Sequence, residues 1–415
     1  MSRNESKPTG NTVGILLFSL FAWTVSNLDQ SLFGYAVPGI VADFGIDLSA
    51  IGLILSVGFV AAAILVVGAG LAADRYGRRI TLAVTLSLSA LFVGLHGFAS
   101  TPLLLTILRA LAFGLAAGVA PITAVYVAEA APARHRGLLM GVLQCGYPLG
   151  WFLASLIAAP VLASHGWRWM FGIGFFVIPV AFLIAWRLPE SQRFQKIAAK
   201  RSTGAARESN WSLLKELFSG AYRLRSLASM VLFFSFGCAY AGTAFYFPTF
   251  FVSVRGYTPS EAASLVGLSN GIAVLGYLSA AFIGEYLWTR RNTYATWCVL
   301  GSIALIGLLW FPQTRAQDLL FFALTAAFFY GSNAVVGTLL ADLYPTRIRA
   351  TAYAFCGSAP LSLGFAVFPS VVPLVVAASG WQRALTWAVV PMLLVSAVAA
   401  MVLPNLRSGE EVADA

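Results

Sequence analysis

The chain has 415 residues, 59% of them hydrophobic and only 10% charged, against roughly 25% charged residues in an ordinary soluble domain. A soluble fold of this size could not cover that much apolar surface with 26 Lys and Arg and 16 Asp and Glu, so a cytoplasmic globular enzyme and a disordered chain are excluded. The mean hydropathy of +0.82 points to an all-α polytopic membrane protein whose solvent is largely lipid. The net charge of +10 is then explained by Lys and Arg gathered in loops on one side of the membrane rather than by a nucleic-acid partner.

Apolar runs of span length follow one another along the chain. The first set lies near Val13–Pro38, Ser49–Ala73, Ile80–Phe98, Leu103–Ala128, Leu138–Ser164 and Trp169–Leu188. The second lies near Leu227–Val252, Ala262–Leu287, Thr293–Phe311, Leu319–Ala341, Thr351–Ala378 and Ala384–Leu403. This predicts twelve spans. The polar stretch Pro189–Arg225, with Lys196, Lys200, Arg201, Arg207, Lys215, Arg223 and Arg225, separates the two sets, and Trp211–Phe218 within it has the composition of an interfacial helix. The expected organisation is an N-terminal half 1–190, a cytoplasmic loop 191–225 and a C-terminal half 226–415. With the N-terminus placed inside, only Arg168, Arg255, Arg315 and Arg383 fall outside and only Arg109 within a span, so both termini are expected in the cytoplasm. No cleavable leader is expected, because the first apolar run is too long for a signal core. Cys145, Cys238, Cys298 and Cys356 all lie in apolar runs without metal-ligand spacing and read as small buried hydrophobes.

The halves repeat one another. Glu129-x-x-Pro132-x-x-x-Arg136 recurs as Asp342-x-x-Pro345-x-x-x-Arg349, an offset of 213, while Gly166-Trp167-Arg168 recurs as Gly380-Trp381-Gln382-Arg383 and Gly70 as Gly284, both offset by 214. Two parallel six-helix repeats are the architecture of alternating-access transporters, which hold substrate between the halves near mid-membrane.

The loop after the second span reads Gly70-Leu-Ala-Ala-Asp74-Arg75-Tyr-Gly77-Arg78-Arg79. It resembles the signature of the major facilitator superfamily, G-x-x-x-D-R-x-G-R-R, at every fixed position. Tyr126–Gly137 is similar to the loop between spans four and five in sugar-porter-like members, and Pro189-Glu190-Ser191 to the family's motif after span six. The resemblance spans both halves and implies the major facilitator fold. It also implies a cytoplasmic gate latch at Asp74, Arg75, Gly77 and Arg78. The second copy has lost the Asp and the second Gly, so its latch is expected to be weaker or rebuilt around Glu285. Glu129, Arg136, Asp342 and Arg349 sit at cytoplasmic helix ends and read as gate ion pairs, with plain surface charges as the alternative.

Asp29 is the only acidic residue deep in a span, and an ionised carboxylate there needs a partner or a cavity. Counted from the outer ends of spans one and four, Asp29 and Arg109 both fall at about 10–14 Å depth, so the two can meet. The 214 offset maps them onto Thr243 and Ala323, so the pair belongs to one half only. Near Arg109 the carboxylate is favoured as the anion, and protonation opens the pair. Sugar:proton symporters of the superfamily carry an Asp and an Arg that resemble this pair. The readings are proton coupling, a structural ion pair, or substrate binding by Arg109.

Span five reads Gln144-Cys-Gly146-Tyr147-Pro-Leu-Gly150-Trp151-Phe-Leu-Ala154 and resembles the sialate and lactate branch, departing from its pattern at Trp151. Cavity candidates are Gln144, Tyr147, Tyr240, Tyr246, Asn270, Tyr330 and Asn333. No nucleotide-binding loop, metal cluster or catalytic constellation is legible, so no cofactor, no metal and no enzymatic activity are expected. The leading expectation is a monomeric, proton-coupled symporter of a small organic anion, a carboxylate or aromatic acid, in a bacterial inner membrane. Sugar or polyol:proton symport and drug or metabolite:proton antiport are the alternatives.

Overall fold

The computed structural model describes residues 10–132, 135–187 and 215–407. Within them every regular element is helical. The first three spans are α1 (Gly10–Phe44), α2 (Leu48–Tyr76) and α3 (Arg78–Leu95). The fourth is divided into α4 (Pro102–Ala116) and α5 (Val119–Ala130), and the fifth into α6 (Arg136–Gln144) and α7 (Gly146–Ser164). The sixth comprises α8 (Trp167–Met170) and α9 (Ile173–Arg187). The seventh comprises α10 (Arg223–Ala241) and α11 (Phe247–Arg255), the eighth α12 (Pro259–Phe282) with a wide π turn, Ile283–Leu287. Then come α13 (Arg290–Trp310), the tenth span as α14 (Arg315–Phe328) and α15 (Asn333–Asp342), and the eleventh as α16 (Thr346–Ala352), a π turn Tyr353–Ser358 and α17 (Ala359–Ser379). The twelfth is α18 (Trp381–Ala384), a π turn Leu385–Val389 and α19 (Val390–Val402).

Among the described residues eleven helices are long and apolar enough to cross a membrane, and the shorter apolar segment Trp167–Leu183 stands at the sixth span. Two expectations change. The first span does not stop at Pro38: α1 runs on to Phe44, since a proline inside a helix deletes the single bond to the carbonyl four residues back, here Gly34, and fixes a φ the helix already has. Spans four, five, seven and ten are interrupted rather than continuous; apolar periodicity alone cannot show such breaks. The expected interfacial helix Trp211–Phe218 lies partly outside the described residues.

The repeat is visible in the helix ends. Asp47, Thr101, Thr258 and Thr314 cap α2, α4, α12 and α14 by accepting from Ala50, Leu104, Glu261 and Gln317 N–H, satisfying donors that the bilayer edge would leave bare. Gly166 and Gly380 start α8 and α18 at φ of 80° and 79°, a conformation that only glycine takes without strain.

Packing repeats too. In the first half α1 lies on α7, α2 on α4, and α3 on α9 and α4. In the second, α10 lies on α17, α12 on α14, and α13 on α19 and α14, which is the same set of pairs one repeat later. The halves meet along two seams, α7 on α12 and α2 on α17. We term the end with the start of α1 and the α2–α3 turn the inner end, the opposite one the outer end. At the outer end Ser56 and Ser370 share a hydrogen bond of 2.8 Å and Ser260 donates to the Ala159 carbonyl at 2.7 Å, so each seam is stitched once. Arg255 and Tyr257 both bond Asp318, at 3.1 and 2.6 Å. Burial, and then donation to Asp318, push the Tyr257 hydroxyl up to about 12, so it stays protonated and keeps donating.

Small residues allow these helices to touch backbone to backbone. At Gly276 an added methyl carbon would stand 2.5 Å from the Ala327 Cα and against its carbonyl, whereas at Gly68 nothing lies within 4 Å. Gly276→Ala is expected to cost about 1–3 kcal/mol by overpacking and to lower the melting temperature of the detergent-solubilised protein. Gly68→Ala should leave it unchanged, and equal melting temperatures in the two variants would refute this account of the α12–α14 contact.

Candidate functional site

Asp29 of α1 and Arg109 of α4 are both buried, and Arg109 Nη1 stands 3.5 Å from Asp29 Oδ1. Neither carboxylate oxygen nor Nη1 has a hydrogen-bond partner, so the pair is held by charge alone. Removing one member of such a buried pair strands the other, at about 3–5 kcal/mol. The carboxylate borders a cavity of about 20 Å3 lined by Ser26, Leu86, Ser89, Val93, Ile173 and Gly174, inside the first half. That is room for about one water molecule. The guanidinium lies over three rings: Phe33 at 4.4 Å, Phe113 at 5.0 Å and Phe245 at 5.8 Å. Aromatic faces take up a desolvated guanidinium, and Phe245, after α10, belongs to the other half.

From there an aromatic chain crosses the molecule. Phe113 meets Phe59 at 4.8 Å, Phe59 meets Phe245 at 5.8 Å and Phe365 at 5.0 Å, and Phe365 meets Tyr240 at 5.3 Å. Tyr240 then packs on Tyr147 at 5.2 Å and on Tyr330 at 5.3 Å, with Tyr147 to Tyr330 at 6.0 Å. Tyr147 comes from α7 and the other two tyrosines from the second half, so this triangle spans the seam. The Tyr330 hydroxyl bonds Thr243 Oγ1 at 3.0 Å. Trp151 Nε1 and the Tyr277 hydroxyl are buried without partners. Such groups are rare in native interiors and mark places where a ligand could supply the missing bond.

Of the cavity candidates, the structure brings Tyr147, Tyr240 and Tyr330 together. Gln144 and Asn333 are half-buried. Asn270 donates to the Val266 carbonyl of its own helix at 2.9 Å, and its Oδ1 is buried without a partner. Tyr246 is a correction: its hydroxyl donates to the Pro369 carbonyl of α17 at 2.6 Å, a contact within the second half rather than part of the tyrosine triangle. Phe33, Phe59, Phe113, Phe365 and Tyr277 were missed, since in a chain with 56 Phe, Tyr and Trp only the packing sets them apart from lipid-facing rings.

At the inner end Arg78 bonds Glu129 at 2.6 Å. One repeat later Arg290 pairs with Asp342 and also with Glu285, the latter at 2.6 Å. Glu129 and Asp342 are therefore each held by the Arg that opens the preceding span. Of the other two charges read as gate ion pairs, Arg136 is exposed, and Arg349 donates to the Tyr344 carbonyl at 3.1 Å and adds its charge near Asp342. Gly77, at φ 99°, makes the turn into α3. Arg75 is exposed beside the Tyr76 ring, and the side chain of Asp74 lies outside the described residues. The two halves touch here as well, since His135 bonds the Tyr286 hydroxyl at 2.7 Å.

Two pseudo-symmetric bundles, latched at one end and joined through a buried charge pair and an aromatic seam, define a membrane transporter of the alternating-access class. The chain belongs to the Major Facilitator Superfamily, whose model matches residues 19–355. It is 26% identical to the niacin transporter NiaP of Acinetobacter baylyi, over 96% of this chain and 95% of that one. It is 29% identical to the cis,cis-muconate transport protein of the same species, over 81% of each. It is 25% identical to the 4-hydroxybenzoate transporter PcaK of Pseudomonas aeruginosa, over 95% of this chain and 92% of that one. In fold it matches the crystal structure of a bacterial homolog of the human lysosomal transporter Spinster, inward-facing and unoccupied, with a TM-score of 0.67 at 16% identity over 95% of this chain and 96% of that one.

The inner latch offers a test. A methyl carbon added at Gly137 would meet Glu285 and stand 2.7 Å from Arg290 Nη2, so Gly137→Ala should force α6 off the Glu285–Arg290 pair. With Cys238, Cys298 and Cys356 replaced, labelling of the buried Cys145 by a thiol reagent reports the opening. About 1 kcal/mol of lost closure energy raises its rate roughly five-fold, and an unchanged rate would mean the latch absorbs the methyl.

Proposed function

We propose that the protein is a proton-coupled symporter of a small conjugated carboxylate, with Asp29 as the proton site, Arg109 as its counter-ion and anion attractor, and Tyr147, Tyr240 and Tyr330 as the walls of the substrate site. The observation that carries this is the continuous packing of Arg109, through Phe113 and Phe59, to the tyrosine triangle. When a proton neutralises Asp29, the guanidinium loses its counter-charge in a medium where an unpaired cation is costly. A substrate carboxylate then becomes its best partner, through a charge-assisted contact. The aromatic body of that substrate finds ring faces and edges along the seam. Proton and substrate thus favour each other's binding by linkage. Gln144, Asn270 and Asn333 supply further hydrogen bonds.

The relatives support the substrate class. Niacin, cis,cis-muconate, gallate and 4-hydroxybenzoate, which their names carry, each join a carboxyl group to a conjugated system. In this reading residues 1–190 and 226–415 rock as units about the 191–225 loop. Glu129–Arg78, Asp342–Arg290 and Glu285 close the cytoplasmic side, and the protein works as a monomer in a bacterial inner membrane with both termini in the cytoplasm.

Uptake into proteoliposomes tests it, with a panel of benzoate, 4-hydroxybenzoate, nicotinate, cis,cis-muconate and neutral sugars. With one proton per substrate, an inward gradient of about one pH unit drives roughly ten-fold accumulation. Asp29→Asn should keep exchange of preloaded substrate but lose accumulation. Movement of neutral sugars alone would overturn the anion assignment. Accumulation that survives in Asp29→Asn would overturn the proton assignment.

A further inference from the structure

His96 closes α3 at its outer end and is completely buried. Its Nδ1 lies 2.7 Å from the Phe92 carbonyl. A carbonyl only accepts, so Nδ1 carries the hydrogen and Nε2 of the neutral ring is an acceptor. That Nε2 is buried and has no partner. The ring is stacked on Phe171 at 5.0 Å and meets Phe33 edge-on at 6.2 Å, and Phe33 is the ring that carries the Arg109 guanidinium. Around one phenyl ring there is thus a buried acceptor lacking a donor and a buried donor, Arg109 Nη1, lacking an acceptor.

We propose that His96 is a second acceptor for Arg109, a positioning residue that takes over the guanidinium when Asp29 is protonated; the inference rests on the reading of Asp29 as the proton site. With Asp29 ionised, Arg109 has its counter-charge and Nε2 stays unpaired. Once a proton removes that charge, Arg109 needs another acceptor in this buried place. The neutral imidazole supplies one without adding charge. It does so as a base, not as a carrier of the transported proton, because an imidazolium beside Arg109 would place two cations together in a buried site. The charged groups on the elements packed against this turn are Arg109 on α4, Asp29 and Asp43 on α1 and Arg168 on α8. The last two pair with each other at the outer rim, and Arg168 also donates to the Ala99 carbonyl at 3.1 Å. The swap keeps Arg109 near the aromatic seam, where an incoming carboxylate can displace the imidazole.

The consequence is a pH signature. A contact made only in the Asp29-protonated state favours protonation, so its loss moves the acid-side rise of uptake to lower pH. His96→Phe retains a ring to stack on Phe171 but has no acceptor, and His96→Gln restores one. In proteoliposomes the pH of half-maximal uptake should fall by about one unit in His96→Phe, the shift for loss of one charge-assisted hydrogen bond, and return toward the wild-type value in His96→Gln. An unmoved midpoint in His96→Phe overturns the proposal and leaves His96 a packing ring.

A second measurement does not depend on those variants folding. In protein labelled with 15N-histidine, and assigned with His135→Gln and His165→Gln, the His96 Nε2 resonance should move to that of an accepting nitrogen in Asp29→Asn. An unchanged resonance overturns the swap. The two readings fail separately: proton-driven accumulation that survives in Asp29→Asn removes the proton site itself, whereas accumulation that depends on Asp29, with neither the pH midpoint nor the resonance moved, removes only the role of His96.

Discussion

An ion pair without hydrogen bonds, buried away from bulk water, is the constraint on which the rest of this molecule depends. Asp29 and Arg109 attract each other at 3.5 Å, but the low-dielectric surroundings that strengthen this attraction also make it expensive to keep either charge alone. The structure around them is correspondingly specialised. Three aromatic faces receive the guanidinium, and a small cavity edged by Ser26 and Ser89 borders the carboxylate. The pair holds α1 to α4, and through Phe245 it is in contact with the opposite half. Any event that changes the charge at Asp29 must therefore be felt across the seam.

The pseudo-symmetry shows how one ancestral half has been put to two uses. The position of Asp29 in the second half is Thr243, whose hydroxyl bonds Tyr330 at 3.0 Å. The same place in the repeat thus serves charge in one half and the tyrosine triangle in the other. The latches diverge in the opposite sense. The first half holds Glu129 with Arg78. The second, whose loop has lost the signature aspartate, holds Asp342 with Arg290 and adds Glu285 to the same guanidinium. One arginine there serves two carboxylates.

Much of this was legible in the sequence because the relevant signals are local or global, not intermediate. Hydropathy marks the spans. A lone Asp and a lone Arg inside spans must find each other, since each is too costly alone. What failed depends on contacts between elements. The partners of Glu129 and Asp342 are Arg78 and Arg290, each at the start of the preceding span, which only the packing of α5 and α15 decides. Tyr246 has the composition of a cavity residue and the position of a packing contact within the second half. The breaks in spans four, five, seven and ten escaped because an interrupted helix keeps the apolar character of a continuous one.

The breaks bear on how the halves can move. A straight span transmits displacement along its whole length, whereas one divided near its middle lets its inner and outer segments tilt separately. Here the divisions stand beside the tyrosine triangle: α6 gives way to α7 just before Tyr147, α10 ends one residue after Tyr240, and α14 ends just before Tyr330. The three rings that meet across the seam therefore sit at the joints of their own helices. Displacing the rings requires bending where the backbone hydrogen-bond ladder is already interrupted, so little regular structure is lost. Ala159, which accepts from Ser260, lies further out on α7, and Asp342, which pairs with Arg290, ends the same tenth span. A body wedged between the tyrosines would thus press on three spans at the points where each of them is already divided.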